Sequence, residues 1–118
     1  MKNDVFTEAF FDNMTSISPF LNVEAMLQGE AAEGLVSYLK GLQLEPAVNT
    51  PLVDTQPELR YGGNQGYCIH YQNGEMVHFF ASEALLTINS KNYYVVDKDG
   101  KLVPEFGETI WKFFHPEA

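Results

Sequence analysis

Apolar and polar positions follow two different periods along this chain. Over residues 1–44 the apolar side chains recur at helical spacing, and from residue 67 they alternate at the two-residue period of strands. Asn3 or Asp4 offers an N-cap for a first helix, with Val5, Phe6, Ala9, Phe10 and Met14 on one side. Asp4, Glu8 and Asp12 stack at i, i+4 and i+8 on another side, and no Lys or Arg within that helix relieves them. Phe11 projects beside this acidic stripe, either packed under a neighbouring loop or set as an aromatic anchor in an acidic surface. Ser18-Pro19 predicts a cap followed by Pro at the first helical position. Residues 20–28 fit a short helix or a strand through 23–27. The clearest helix spans 30–43, with Ala31, Leu35, Leu39 and Leu42 on one face, Tyr38 at its edge, and Glu33, Ser37 and Lys40 opposite. Glu30 and Glu33 stand near its start, where the helix dipole favours anions.

Residues 45–66 break both periods. Pro46, Pro51 and Pro57 punctuate this stretch and Gly62, Gly63 and Gly66 close it, leaving room for one short edge strand near 52–54. Beyond it, Tyr67 to Gln72 and Glu75 to Phe80 flank Asn73-Gly74, the strongest short hairpin signal. A two-residue loop pairs Gln72 with Glu75. That register puts Tyr67, Ile69 and Tyr71 on one face with Met76, His78 and Phe80, and puts Cys68 and His70 on the other. Residues 84–88 read as a strand or a turn of helix, and a second hairpin joins Tyr93–Val96 to Lys101–Val103 through Asp97 to Gly100. Residues 109–114 read as a last strand or a short C-terminal helix. The expectation is one α+β domain over 1–118: two or three N-terminal helices within 1–44, an irregular segment over 45–66, and an antiparallel meander of about four to six strands formed by 67–118.

Composition narrows the function classes. Hydrophobic residues make up 45% of the 118 positions and charged residues 19%, enough apolar content for a packed core. Sixteen acids face seven bases, a net charge of −9, and no Lys/Arg cluster overrides it, so direct nucleic-acid binding is not expected. The charge is uneven. Residues 1–58 hold nine acids against Lys2 and Lys40, a net of −7, whereas residues 59–118 hold seven acids against five bases, a net of −2. Any acidic docking face should therefore lie in the N-terminal half. Cys68, the single cysteine, rules out an internal disulfide. No secretory h-region or membrane-length apolar run is present, which predicts a cytoplasmic, reducing location with no membrane partner.

The catalytic inventory is thin. With His70 and His78 on opposite hairpin faces, no shared metal site is expected, and CxxC, HxxxH and HExxH are absent. Cys68 and His70 share a face, but a lone cysteine inside a strand reads as a small buried hydrophobe. Asp97 to Gly100 lacks the further ligands of a calcium loop, and Gly62 to Gly66 lacks a phosphate-loop lysine. No cofactor is implied. The helix after Gly29, followed by a sheet ending in YYVVDKDGKLVPEF, resembles the cone-shaped NTF2/SnoaL-like proteins. The resemblance implies a ligand pocket between helices and a bent sheet, although the prolines of 46–57 fall where that family places a long strand.

Two functions follow. The first is a small acidic protein-binding module of the immunity, antitoxin or inhibitor kind, which neutralises a basic partner by occlusion. Asp4, Glu8, Asp12, Glu30 and Glu33 would steer association, with Phe11 and Tyr61 as anchors. The second is a small-molecule site, enzymatic or not, lined by Tyr67, Ile69, Tyr71, His78 and Phe80, with His78 as its acid/base. A subunit of a homo-oligomer or phage-like assembly, whose aromatic strands pair between chains, is a third reading.

Overall fold

The computed structural model describes residues 3–20, 25–47 and 64–116. A 3-10 turn at Ala9–Phe11 leads into β1 (Met14–Pro19), followed by α1 (Gly29–Lys40) and β2 (Gln43–Pro46). The chain continues with β3 (Asn64–Tyr71), β4 (Met76–Ser82), β5 (Leu85–Ile88), β6 (Lys91–Val96) and α2 (Phe106–Phe114). The strands form one six-stranded antiparallel sheet in the order β1-β3-β4-β5-β6-β2.

The class is α+β, as the sequence predicts, but the helices are not gathered at the N-terminus. Among the described residues one is mid-chain and the other is C-terminal, after the last strand. The meander β3 to β6 is C-terminal as expected, while the edge strand β1 comes from the part expected to be helical and β2 from its border with the irregular segment. The first predicted helix fails after a single turn. Asn13 sits at φ 64 and swings the chain out of helical geometry. The next residues include β-branched Thr15 and Ile17, which fit a pleated surface, and they pair with β3. Pro19 ends this edge strand rather than starting a helix, because a missing N–H is tolerated at an edge. The helix predicted over 30–43 runs from Gly29 to Lys40, and it buries Ala32 rather than Ala31. Residues 43–46, which span the expected end of the helical part at 44 and the start of the irregular segment at 45, become β2. Past the Asp97 turn only an isolated bridge, Val96 to Leu102, remains of the second predicted hairpin, because β6 pairs with β5 and β2 instead.

The β3–β4 register differs by one residue from the expected one. His70 pairs with Met76 and Cys68 with His78, so the loop is Gln72-Asn73-Gly74 rather than Asn73-Gly74. The Tyr71 N–H bonds the Glu75 carbonyl and the Gly74 N–H bonds the Tyr71 carbonyl. Gln72 is drawn off the ladder because its N–H donates to the Asn13 carbonyl at 2.9 Å. Gly74 takes φ 88, the left-handed residue that closes a three-residue hairpin. A one-residue slip moves every side chain to the other face. Tyr67 and Ile69 therefore lie with Val77 and Phe79, while His78 and Phe80 lie with Cys68 and His70.

The core fills the first of these faces. Ile17, Ile69, Phe79, Leu86 and Val95 from the sheet meet Leu35 and Leu39 of α1 and Phe106 and Ile110 of α2, all essentially buried. α1 links the two edge strands, β1 and β2, which are five strand spacings or about 24 Å apart. Its twelve residues span about 18 Å, so it lies across this face with Ala32, Leu35 and Leu39 turned inward. Tyr67 is stacked between Phe79 and Phe114. Among the described residues its Oη has no hydrogen-bond partner. On the opposite face, Gly66 leaves room for the ring of Phe80, since a Cβ there would stand 3.0 Å from Cε1.

Two stability predictions follow from this packing. Burial pushes the Tyr67 phenol well above its usual value of 10.0. The folded phenol holds its proton more tightly than the unfolded one, so its contribution is full below that usual value and is lost as pH rises through it toward the folded value. Tyr67→Phe should stabilise the protein by about 1 kcal/mol at neutral pH, by removing an unsatisfied buried hydroxyl, and should flatten the alkaline loss. Urea unfolding at neutral pH and above pH 10 measures both effects. Gly74→Ala meets no atom within 4 Å but strains the turn, and should cost about 1 kcal/mol in the same assay.

Candidate functional site

Residues 3–13 form a ridge laid over the helical side of the sheet. Asn3 ties its start down. Its Nδ2 donates to the Leu39 carbonyl at 2.7 Å, which also accepts the Leu42 N–H, and to the Lys40 carbonyl at 3.3 Å, both in the last turn of α1. Its Oδ1 accepts the Phe6 N–H at 2.8 Å. Phe6 is driven into the core, edge-on to Phe10 and Phe79. Glu8 forms an ion pair with Lys40 of α1, so the acidic stripe is partly relieved from a neighbouring helix. At the far end, Tyr71 Oη donates to the Phe10 carbonyl at 2.6 Å and the Gln72 N–H donates to the Asn13 carbonyl.

A groove lies on each side of this ridge. The first, about 570 Å³, runs between the ridge and the β3–β4 hairpin. Phe10, Tyr71 and Val77 supply its apolar walls, and Asp12, Glu75 and Gln72 supply polar ones. Burial pushes the Tyr71 phenol above its usual value, and the negative charge of Glu75 adds to the rise. The second groove, about 470 Å³, runs toward the β5–β6 turn, where Asp4 and Lys91 face it beside Val5, Ile88 and Tyr93. Ala9 and Phe10 line both, so the grooves adjoin.

The sequence-predicted partner residues are placed unequally. Asp4, Glu8 and Asp12 are exposed on the ridge, but they do not form one helical stripe. Glu30 and Glu33 are exposed on α1 and line neither groove. Phe11 is half-buried, stacked on Phe6 and edge-on to Phe10, so it packs rather than projects. Tyr61 lies outside the described residues. Sequence reasoning missed Phe10 and Glu75 as groove residues. The signal available for Glu75 was its position just after an Asn-Gly turn.

The five residues expected to line a pocket do not share one. Tyr67 and Ile69 are 1% and 0% exposed in the core, Tyr71 faces the first groove, and His78 and Phe80 lie across the sheet. That far face does gather Ser18, Cys68, His70 and His78, since β1 and β4 flank β3 there. Ser18 Oγ and His70 Nε2 are hydrogen-bonded at 2.9 Å. Ser18 is fully buried within a strand, which leaves it no approach for a substrate. Burial raises the Cys68 thiol, keeping it protonated and un-nucleophilic. The ring of His78 stands edge-on to Phe20, with centroids 5.0 Å apart. Among the described residues no three His, Cys, Asp or Glu side chains are grouped to hold a metal ion. The Ser18–His70 bond reads as a diagonal contact between the neighbouring strands β1 and β3.

No family model, no curated protein and no solved structure matches the chain.

Proposed function

We propose that this chain is a small acidic protein-binding module that neutralises a basic partner protein by occluding it. The observation that carries the reading is the exposed ridge with a groove on either side. It combines apolar walls for anchoring with carboxylates that accept cationic groups. Further support comes from the charge of the chain, −9 in total, with most of the excess in the half that contains the ridge and α1. The packed space between helices and sheet offers no comparable support to a small-molecule pocket.

The test is capture of proteins from native lysate on the immobilised chain at low and high salt, beside a variant carrying Asp4→Lys and Asp12→Lys. Both positions are exposed, so the variant is expected to fold, and its circular dichroism checks this. A basic protein should be retained by the native chain at low salt, released at high salt, and lost by the variant, because exposed charges are screened beyond about 10 Å at 0.1 M salt. Adding the native chain should also suppress the captured protein's own activity. Equal retention by the variant would sink the reading.

A further inference from the structure

The two grooves differ in charge. Lys91 stands with Asp4 along the second, so cation and anion are mixed there. The first has Asp12 on the ridge side and Glu75 on the hairpin side, with no Lys, Arg or His among its lining residues. Neither carboxylate is in a salt bridge with a described residue. The groove is also built before any partner arrives. The Tyr71 hydroxyl and the Gln72 N–H fasten the ridge to the hairpin, and the Asp12 N–H closes the 3-10 turn on the Ala9 carbonyl. Fixed walls reduce the ordering cost of binding.

We propose that the first groove seats an arginine side chain presented by the partner protein, with its guanidinium between Asp12 and Glu75 and its methylenes along Phe10, Tyr71 and Val77. This rests on the protein-binding reading and names the partner group that the site accepts. Charge complementarity selects a cation. The aromatic and aliphatic walls select one with a long apolar stem, and rings beside a cation add a further attraction. The side-chain amides of Asn13 and Gln72 add acceptors around the same space, which suits five planar donors better than a compact ammonium. An open groove keeps water around the head group, so desolvation stays small.

The experiment is an NMR titration of the nitrogen-15-labelled full chain with acetyl-Gly-Arg-Gly-amide, carried into the millimolar range. The control is the same peptide with citrulline, which keeps the shape and removes the charge. The arginine peptide should give saturable shifts at Asp12, Asn13 and residues 71–75, with the acidic turn at Asp97 and Asp99 unmoved. The citrulline peptide should give none. Asp12→Asn and Glu75→Gln, both at exposed positions, should each weaken binding about two- to five-fold, as expected for exposed ion pairs. Unsaturable shifts spread over all the acidic side chains, equal binding of the citrulline peptide, or no shift at all would each overturn the inference. The lysate capture is read separately. A partner still lost on reversal of Asp4 and Asp12, beside a tripeptide that leaves the groove unmoved, would overturn the arginine seat and leave the protein-binding reading standing.

Discussion

The register of the β3–β4 hairpin decides which side of this molecule is core and which is surface. In an antiparallel pair the side-chain period is two, so the loop length alone assigns every residue of both strands to a face. With Gln72-Asn73-Gly74 as the loop, Tyr67, Ile69, Val77 and Phe79 meet the helices. The small and polar set of Ser18, Cys68 and His70 goes to the other side. The two-residue alternative would have put His78 and Met76 under α2 and left Phe79 outside. Met76 is 56% exposed and Phe79 is 0% exposed, so the burial pattern agrees with only one of the two registers. The bond from Gln72 to Asn13 joins this choice to the ridge, since it fixes the hairpin turn and the entry to β1 together.

The ridge is held mainly by apolar burial. Fully burying a phenylalanine contributes about 1.5–3 kcal/mol, and Phe6 is 1% exposed. An exposed ion pair such as Glu8 with Lys40 contributes about 0–1 kcal/mol. The Glu8 side chain is 87% exposed, which places the pair at the weak end of that range. Asn3 matters in a different way. Its amide supplies a donor to two helix-end carbonyls and an acceptor to a ridge N–H, so the chain can leave helical geometry without stranding polar groups. Charge on the ridge is thus left to act outward, while its backbone is satisfied from within.

The parts of the fold legible in sequence are those fixed by local chemistry. α1 shows its helical period. The meander shows alternation with turn residues between its strands, and Asn-Gly marks a hairpin at the right place. What escaped depends on contacts distant in sequence. Val5, Phe6, Ala9 and Phe10 carry a helical spacing, yet their segment turns at Asn13 because the next six residues gain a whole ladder of bonds with β3. Gln43 to Pro46 has no strand period of its own, and it becomes a strand because β6 offers an open edge. The loop length at Asn73-Gly74 was settled by the Asn13 carbonyl, 59 positions away in the chain. The acidic half of the site was legible as charge. Its groove was not, because Phe10 and Glu75 meet only after the ridge has docked on the hairpin.

The edges of the sheet bear on how such a molecule can bind at all. A free edge strand invites a partner to add a strand of its own, through backbone bonds that read little sequence. Here Ile17 of β1 already gives its N–H and its carbonyl to Leu27. β2 is four residues long and ends in Pro46, which has no N–H to offer. Strand addition is blunted at both edges, which weighs against pairing of aromatic strands between copies. The backbone of the ridge is likewise committed, since the Phe10 and Asn13 carbonyls are taken by Tyr71 and Gln72. The partner proposed for this surface would therefore be read through side chains, by shape and by charge. That is the mode in which an excess of carboxylates over bases affects association rate and discrimination most.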